Sequence, residues 1–146
     1  MYDLVIKNGR VFDGSGNPWF ASDICIKDGK IAKVGKEKGQ ANRIINAKKL
    51  FVAPGFIDMH THYDLAPFAD PKLEHLVREG VTTVIGGNCG FSAFPVASEY
   101  RDLLERFMAP FAPSGVDIDW SWADLKSFSE RLKKIGLGLN VGFLVG

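Results

Sequence analysis

Residues 52–64 read VAPGFIDMHTHYD. Pro54-Gly55 punctuates an apolar run, and the grammar of the chain changes at that point. The next segment, GFIDMHTH, is an apolar strand candidate that ends in His60 and His62. Residues two apart on a strand project from the same face, so the two imidazoles would stand side by side while Thr61 points away. Such a pair can hold one divalent ion. It can equally be a chance match or two hydrogen-bonded structural histidines, and the surrounding sequence has to decide.

Upstream, the segments YDLVIK, RVFD, SDICIK and KIAKVG read as short strands. They are separated by Asn8-Gly9 and Asp28-Gly29, the strongest short-range hairpin signals. This predicts a small antiparallel β unit over residues 1–53, with Cys25 as a small apolar residue between Ile24 and Ile26. Downstream, Asp70-Pro71 predicts the N-cap and first position of a helix that carries Leu73, Leu76 and Val77 on one face and closes at Gly80. A second strand, VTTVIGG, comes next. Tyr100, Leu103, Leu104, Phe107, Met108 and Phe111 fall on the spacing of one buried helical stripe. Ser121 and Asp124 suggest a capping box for the next helix, which shows Leu125, Phe128 and Leu132 on one side and ends at Gly136. LNVGFLVG is the third buried strand.

Strand, helix, strand, helices, strand is the opening of a parallel α/β unit. A closed parallel barrel takes about 250 residues, so residues 54–146 resemble the start of an interrupted construction. The expected fold class is therefore α/β: a β unit, then three β/α units.

Bulk composition narrows the function without naming it. The chain of 146 residues is 46% hydrophobic and 24% charged, the profile of an ordinary folded domain. With 18 basic against 17 acidic residues there is no global field to attract nucleic acid or an anionic membrane. No apolar stretch approaches the roughly 18 residues of a spanning helix, and the start lacks the order of a signal peptide, so the expectation is a cytoplasmic chain. Two cysteines in such a chain do not form a disulfide framework.

The second cysteine is the informative one. Cys89 lies in IGGNCGFSAF, at the end of the second parallel strand, beside the histidines if neighbouring strands pair. C-terminal strand ends are where parallel barrels assemble their sites. Two imidazoles plus a thiolate suit zinc with an open position. A nucleophilic Cys89 with His60 or His62 as its base fits the same spacing. Asp64 could orient a ligand or face solvent, and Asn88 could stabilise the turn or touch substrate. His75 is most simply a helix residue.

VAPGFIDMHTHYD together with GVTTVIGGNCGFSAFP resembles the start of the amidohydrolase superfamily, and the Asn-Cys-Gly ending is similar to its N-acyl-D-amino-acid deacylase (D-aminoacylase) branch. The resemblance covers essentially the whole chain as an N-terminal portion. It implies a β-sandwich portion followed by the first three units of a metal-dependent (β/α)8 hydrolase barrel. It implies His60, His62 and Cys89 as zinc ligands, a small-molecule N-acyl amino acid as substrate, and further histidine ligands and a general-base aspartate downstream. In this branch the cysteine stands where relatives use a carboxylated lysine. Two other readings remain: a cyclic-amide hydrolase of the dihydropyrimidinase or dihydroorotase kind, and a non-catalytic fragment or split subunit whose barrel a missing C-terminal region or partner chain completes.

Overall fold

The structure is a computed structural model that describes residues 1–145. Gly146, the end of the expected barrel segment, lies outside the described residues. The chain forms two compact units, Met1–Pro54 and Gly55 onward.

The first unit is one five-stranded sheet. Strands β1 (Tyr2–Val11), β2 (Phe20–Lys27), β3 (Lys30–Val34) and β4 (Ala41–Asn46) lie in the order β3-β2-β1-β4, and β5 (Phe51–Val52) also pairs with β1. Val5, Val11, Ile24, Cys25 and Ala47 are buried in it. Asp28-Gly29 makes the β2–β3 hairpin, with both residues at positive φ. Asn8-Gly9 does not make a hairpin. β1 runs straight through it, and the positive φ of Asn8, 62°, is spent on a bulge where the register against β2 slips. A residue from the neighbouring strand holds the bulge: Asn8 N donates to Asp23 Oδ1 at 2.9 Å. The expectation of an antiparallel unit is also corrected, because β4 and β5 both pair parallel to β1, making the sheet mixed. A second sandwich layer is not among the described residues.

The second unit is built on the parallel sheet β6-β7-β8, formed by Phe56–Asp58, Val81–Gly86 and Asn140–Phe143. Helix α1 (Glu74–Arg78) joins β6 to β7, while α2 (Arg101–Met108) and α3 (Leu125–Ile135) lie between β7 and β8. Leu73, Leu76, Val84 and Leu139 pack as one cluster. A larger one gathers Leu65, Phe94, Met108, Trp122, Phe128 and Leu132, with Trp122 Nε1 donating to the Ala93 carbonyl at 2.7 Å.

Three helix expectations change. The first helix starts at Glu74, after Leu73 in the left-handed region, because Asp70 and Pro71 are used in a preceding turn. The α3 capping box is Asp124 with Ser127, not Ser121 with Asp124, and Leu125 is exposed while Phe128 and Leu132 are buried. On α2 and its flanking 3-10 turns only Met108 of the expected stripe is buried, and Tyr100, Leu103 and Phe107 are exposed. Periodicity gave the stripe, but among the described residues too little packs against it to cover it.

Candidate metal centre

Regular pairing in β6 stops at Asp58. Its carboxylate accepts the His60 N–H at 3.1 Å, an Asx turn that bends the chain, so the two histidines sit just past the strand rather than on it. The alternation of a strand does not place them. Hydrogen bonds to the neighbouring strand do: Thr61 N and Thr61 Oγ1 both donate to the Ile85 carbonyl of β7, at 3.0 and 2.9 Å.

The end of β7 is shaped to meet this bend. Gly87 takes φ 75°, Gly90 takes φ 76°, and between them Cys89 sits at φ 57°, ψ 22°. A left-handed conformation disfavours a side chain by about 1–2 kcal/mol, so it persists at Cys89 only where its surroundings dictate it. The surroundings are on both sides. Asn88 Nδ2 donates to the carbonyls of Ile85 and Thr61, at 2.8 and 3.3 Å. Asp64 Oδ1 accepts the Gly87 N–H at 2.7 Å. Burial pushes the Asp64 carboxyl above its ordinary pKa, against the Gly87 N–H and nearby His62, which favour the ionised form. Asp64 and Asn88 therefore stitch the two strand ends together. Thr61 does the same work and was missed in the sequence, where it read only as the residue between two histidines.

The stitching brings His60, His62 and Cys89 together. One ligand atom from each lies within 4.8 Å of the others, and His60 Nε2 is 3.2 Å from Cys89 Sγ. Zinc bonds of about 2.0–2.1 Å to nitrogen and about 2.3 Å to sulfur set tetrahedral ligands roughly 3.3–3.6 Å apart, so small side-chain adjustments would suffice. His60 and Cys89 are exposed and His62 is half-buried, which leaves a side open to solvent. His62 Nδ1 is buried with no hydrogen-bond partner among the described residues, the kind of atom that a ligand bond or a further donor satisfies. By donor type, spacing and this orphaned nitrogen, the residues fit zinc. His75 stands apart on α1, with Nε2 at 3.4 Å from the Tyr63 hydroxyl and Nδ1 at 3.9 Å from Asp70.

Residues 43–110 match the model of the amidohydrolase family. N-acyl-D-glutamate deacylase of Alcaligenes xylosoxydans xylosoxydans is 44% identical over 94 residues, 64% of this chain and 19% of that protein. A crystal structure of N-acyl-D-glutamate deacylase from Bordetella bronchiseptica, complexed with zinc and a phosphonate inhibitor that mimics the tetrahedral intermediate, superposes with a TM-score of 0.83 at 32% identity. That match covers 99% of this chain and 29% of the deacylase. Residues 43–110 belong to the amidohydrolase family. A D-aminoacylase variant studied with copper chloride is a further neighbour of the chain, with a TM-score of 0.81 at 30% identity over 100% of the chain and 30% of the enzyme. The chain thus spans less than a third of the length of these relatives. Among the described residues no helix is long and apolar enough to cross a membrane.

Proposed function

We propose that these residues are the N-terminal portion of a cytoplasmic zinc-dependent amidohydrolase that cleaves the amide bond of N-acyl-D-amino acids. One observation carries the reading: His60, His62 and Cys89, from two neighbouring strand ends, offer three ligand atoms within 4.8 Å. When bound, zinc supplies a Lewis acid that polarises a carbonyl and activates water.

The chain's own contribution is to hold and aim the ligands. His60 and His62 would bind as neutral imidazoles and Cys89 as a thiolate, so loading releases protons. Thr61, Asp64 and Asn88 fix the two loops that carry them. Asp64 is committed to the Gly87 N–H and is not part of the three-donor cluster, so the general base would come from outside these residues. So would the remaining ligands and the groups that bind the substrate carboxylate. Exposed apolar side chains in each unit, such as Ile31, Val34 and Phe51 in the first and Phe56 and Ile57 in the second, support further polypeptide covering both. The domain division at residues 53 and 54, the sandwich portion and the (β/α)8 barrel belong to this same reading.

The test is metal content and hydrolysis in the protein expressed from its complete gene. Cys89→Ala should lose zinc and activity on N-acyl-D-amino acids together. Wild-type zinc content and activity in that variant would overturn the reading, and turnover of a dihydropyrimidine in preference to the acyl amino acids would move the protein to the cyclic-amide hydrolases.

A further inference from the structure

Four buried side-chain polar atoms have no hydrogen-bond partner among the described residues, and two of them, His62 Nδ1 and Asp64 Oδ2, belong to residues two apart in the loop after β6. The two are complementary. An imidazole nitrogen that carries the ring proton needs an acceptor, and the oxygens of an ionised carboxylate only accept. The Asp64 carboxylate is also fixed in place. It is 1% exposed, its Oδ1 accepts the Gly87 N–H at 2.7 Å, and a Cβ at Gly86 would lie 2.9 Å from each of its three heavy atoms, so it rests against the Gly86 backbone. His62 is among the groups whose charge this carboxylate feels. The described residues bury both atoms by themselves, and further polypeptide can only add to that cover.

Resting on the proposed metal site, we propose that Asp64 Oδ2 accepts the His62 Nδ1–H and so holds this imidazole in the tautomer whose Nε2 lone pair is free for the metal. Asp64 is then a positioning residue with one task per oxygen. Oδ1 holds the cysteine turn through Gly87, and Oδ2 sets the histidine. The proton of a neutral imidazole settles on the nitrogen whose partner accepts it, and a ring oriented in this way binds a divalent ion more tightly. Nδ1 is the ring nitrogen nearer the backbone and Nε2 the far one; in His60 the far nitrogen is the one that meets Cys89 Sγ, at 3.2 Å. Side-chain rotation within residues 62–64 closes the bond.

The experiment uses the full-length protein with 15N-labelled histidine, metal-free and zinc-loaded, as wild type and Asp64→Asn. The His62 signals are assigned by their loss in His62→Gln. An asparagine keeps an oxygen for the Gly87 N–H but turns an amide donor toward His62 Nδ1, so it supports the turn and reverses the tautomer. In wild type the His62 ring proton should sit on Nδ1 in both states, with zinc on Nε2. In metal-free Asp64→Asn it should sit on Nε2. Zinc affinity by chelator competition should then fall about 10–100-fold, while urea unfolding stays near wild type. A carboxylate that only holds Gly87 leaves the tautomer unmoved, and loss of a nearby negative charge weakens zinc binding without moving the proton. Either of those results, or zinc on Nδ1 of wild-type His62, would overturn the proposal. If Asp64→Asn does not fold, the wild-type spectra decide: an Nδ1–H shielded from solvent exchange supports the bond, and an Nε2–H overturns it. If the protein takes up no zinc and cleaves no acyl amino acid, the proposed function fails, and the metal-free spectra still report whether Asp64 sets the tautomer.

Discussion

Gly87→Ala and Gly90→Ala should differ sharply although the two glycines share a conformation. Both sit at nearly the same φ, 75° and 76°, on either side of Asn88-Cys89. The backbone penalty of a side chain there is about 1–2 kcal/mol in each case. A Cβ at Gly90 would meet nothing within 4 Å, so the penalty ends there. A Cβ at Gly87 would fall inside the Leu144 carbonyl oxygen, 2.9 Å from its carbonyl carbon and 3.0 Å from its nitrogen. Neither is the movable end of a side chain. The chain after β8 must retreat, which strains the Leu144 N–H bond to the Gly86 carbonyl, 3.0 Å in the native structure. Overpacking of about 1–3 kcal/mol and a lost hydrogen bond of about 1 kcal/mol then add to the backbone term. The expected cost is about 3 kcal/mol or more for Gly87→Ala against roughly 1–2 kcal/mol for Gly90→Ala. Urea unfolding of the two variants measures the difference. Zinc titration should show the Gly87 variant weakened about 10–100-fold, as for other residues that support a ligand without touching the metal. Equal stability of the two variants would refute the claim that the β8 exit holds the Cys89 turn in place.

Two further outcomes test the packing of each unit. Burial is the largest influence on Asp23 and pushes its carboxyl up, but the Asn8 and Glu37 N–H groups and Lys36 together hold it below its ordinary value. Its contribution is therefore fully present above the unfolded pKa of about 3.9 and is lost as pH falls through the lower folded value; acid titration of stability in Asp23→Asn should lack that acid limb, and an unchanged profile would count against a stabilising role for the buried Asp23 carboxylate. Phe128 is fully buried, with the Trp122, Phe94 and Phe143 rings 4.8, 5.1 and 5.2 Å away. Phe128→Ala should cost about 3–5 kcal/mol by denaturant unfolding, and a loss below about 1 kcal/mol would show that the aromatic cluster is not the core of the second unit.

The candidate site was more legible than the elements that carry it. His60, His62 and Cys89 could be named from spacing and strand order, because parallel neighbours bring their C-terminal ends together whatever the local detail. The local detail was not legible. An Asx turn at Asp58 ends β6 early, and the bonds that then position the histidines come from residues 24 to 27 positions away along the chain. Asn8-Gly9 has the composition of a hairpin turn, yet Asp23, 15 residues on, supplies a carboxylate that makes a bulge the better use of it. The α2 stripe has helical spacing in sequence, but spacing reports only that one face is apolar. Whether a partner surface exists to cover it is a tertiary fact.

The Ile85 carbonyl receives three donors: the Thr61 N–H, the Thr61 hydroxyl and the Asn88 amide. It acts as a pivot pin between the two loops, so that neither the histidine bend nor the cysteine turn can drift without disturbing the other. A metal arriving at this chain would meet donors already assembled by the fold rather than gathering them from a floppy polypeptide. Metal affinity and fold stability are then separable quantities: a chelator should empty the site and leave the protein folded.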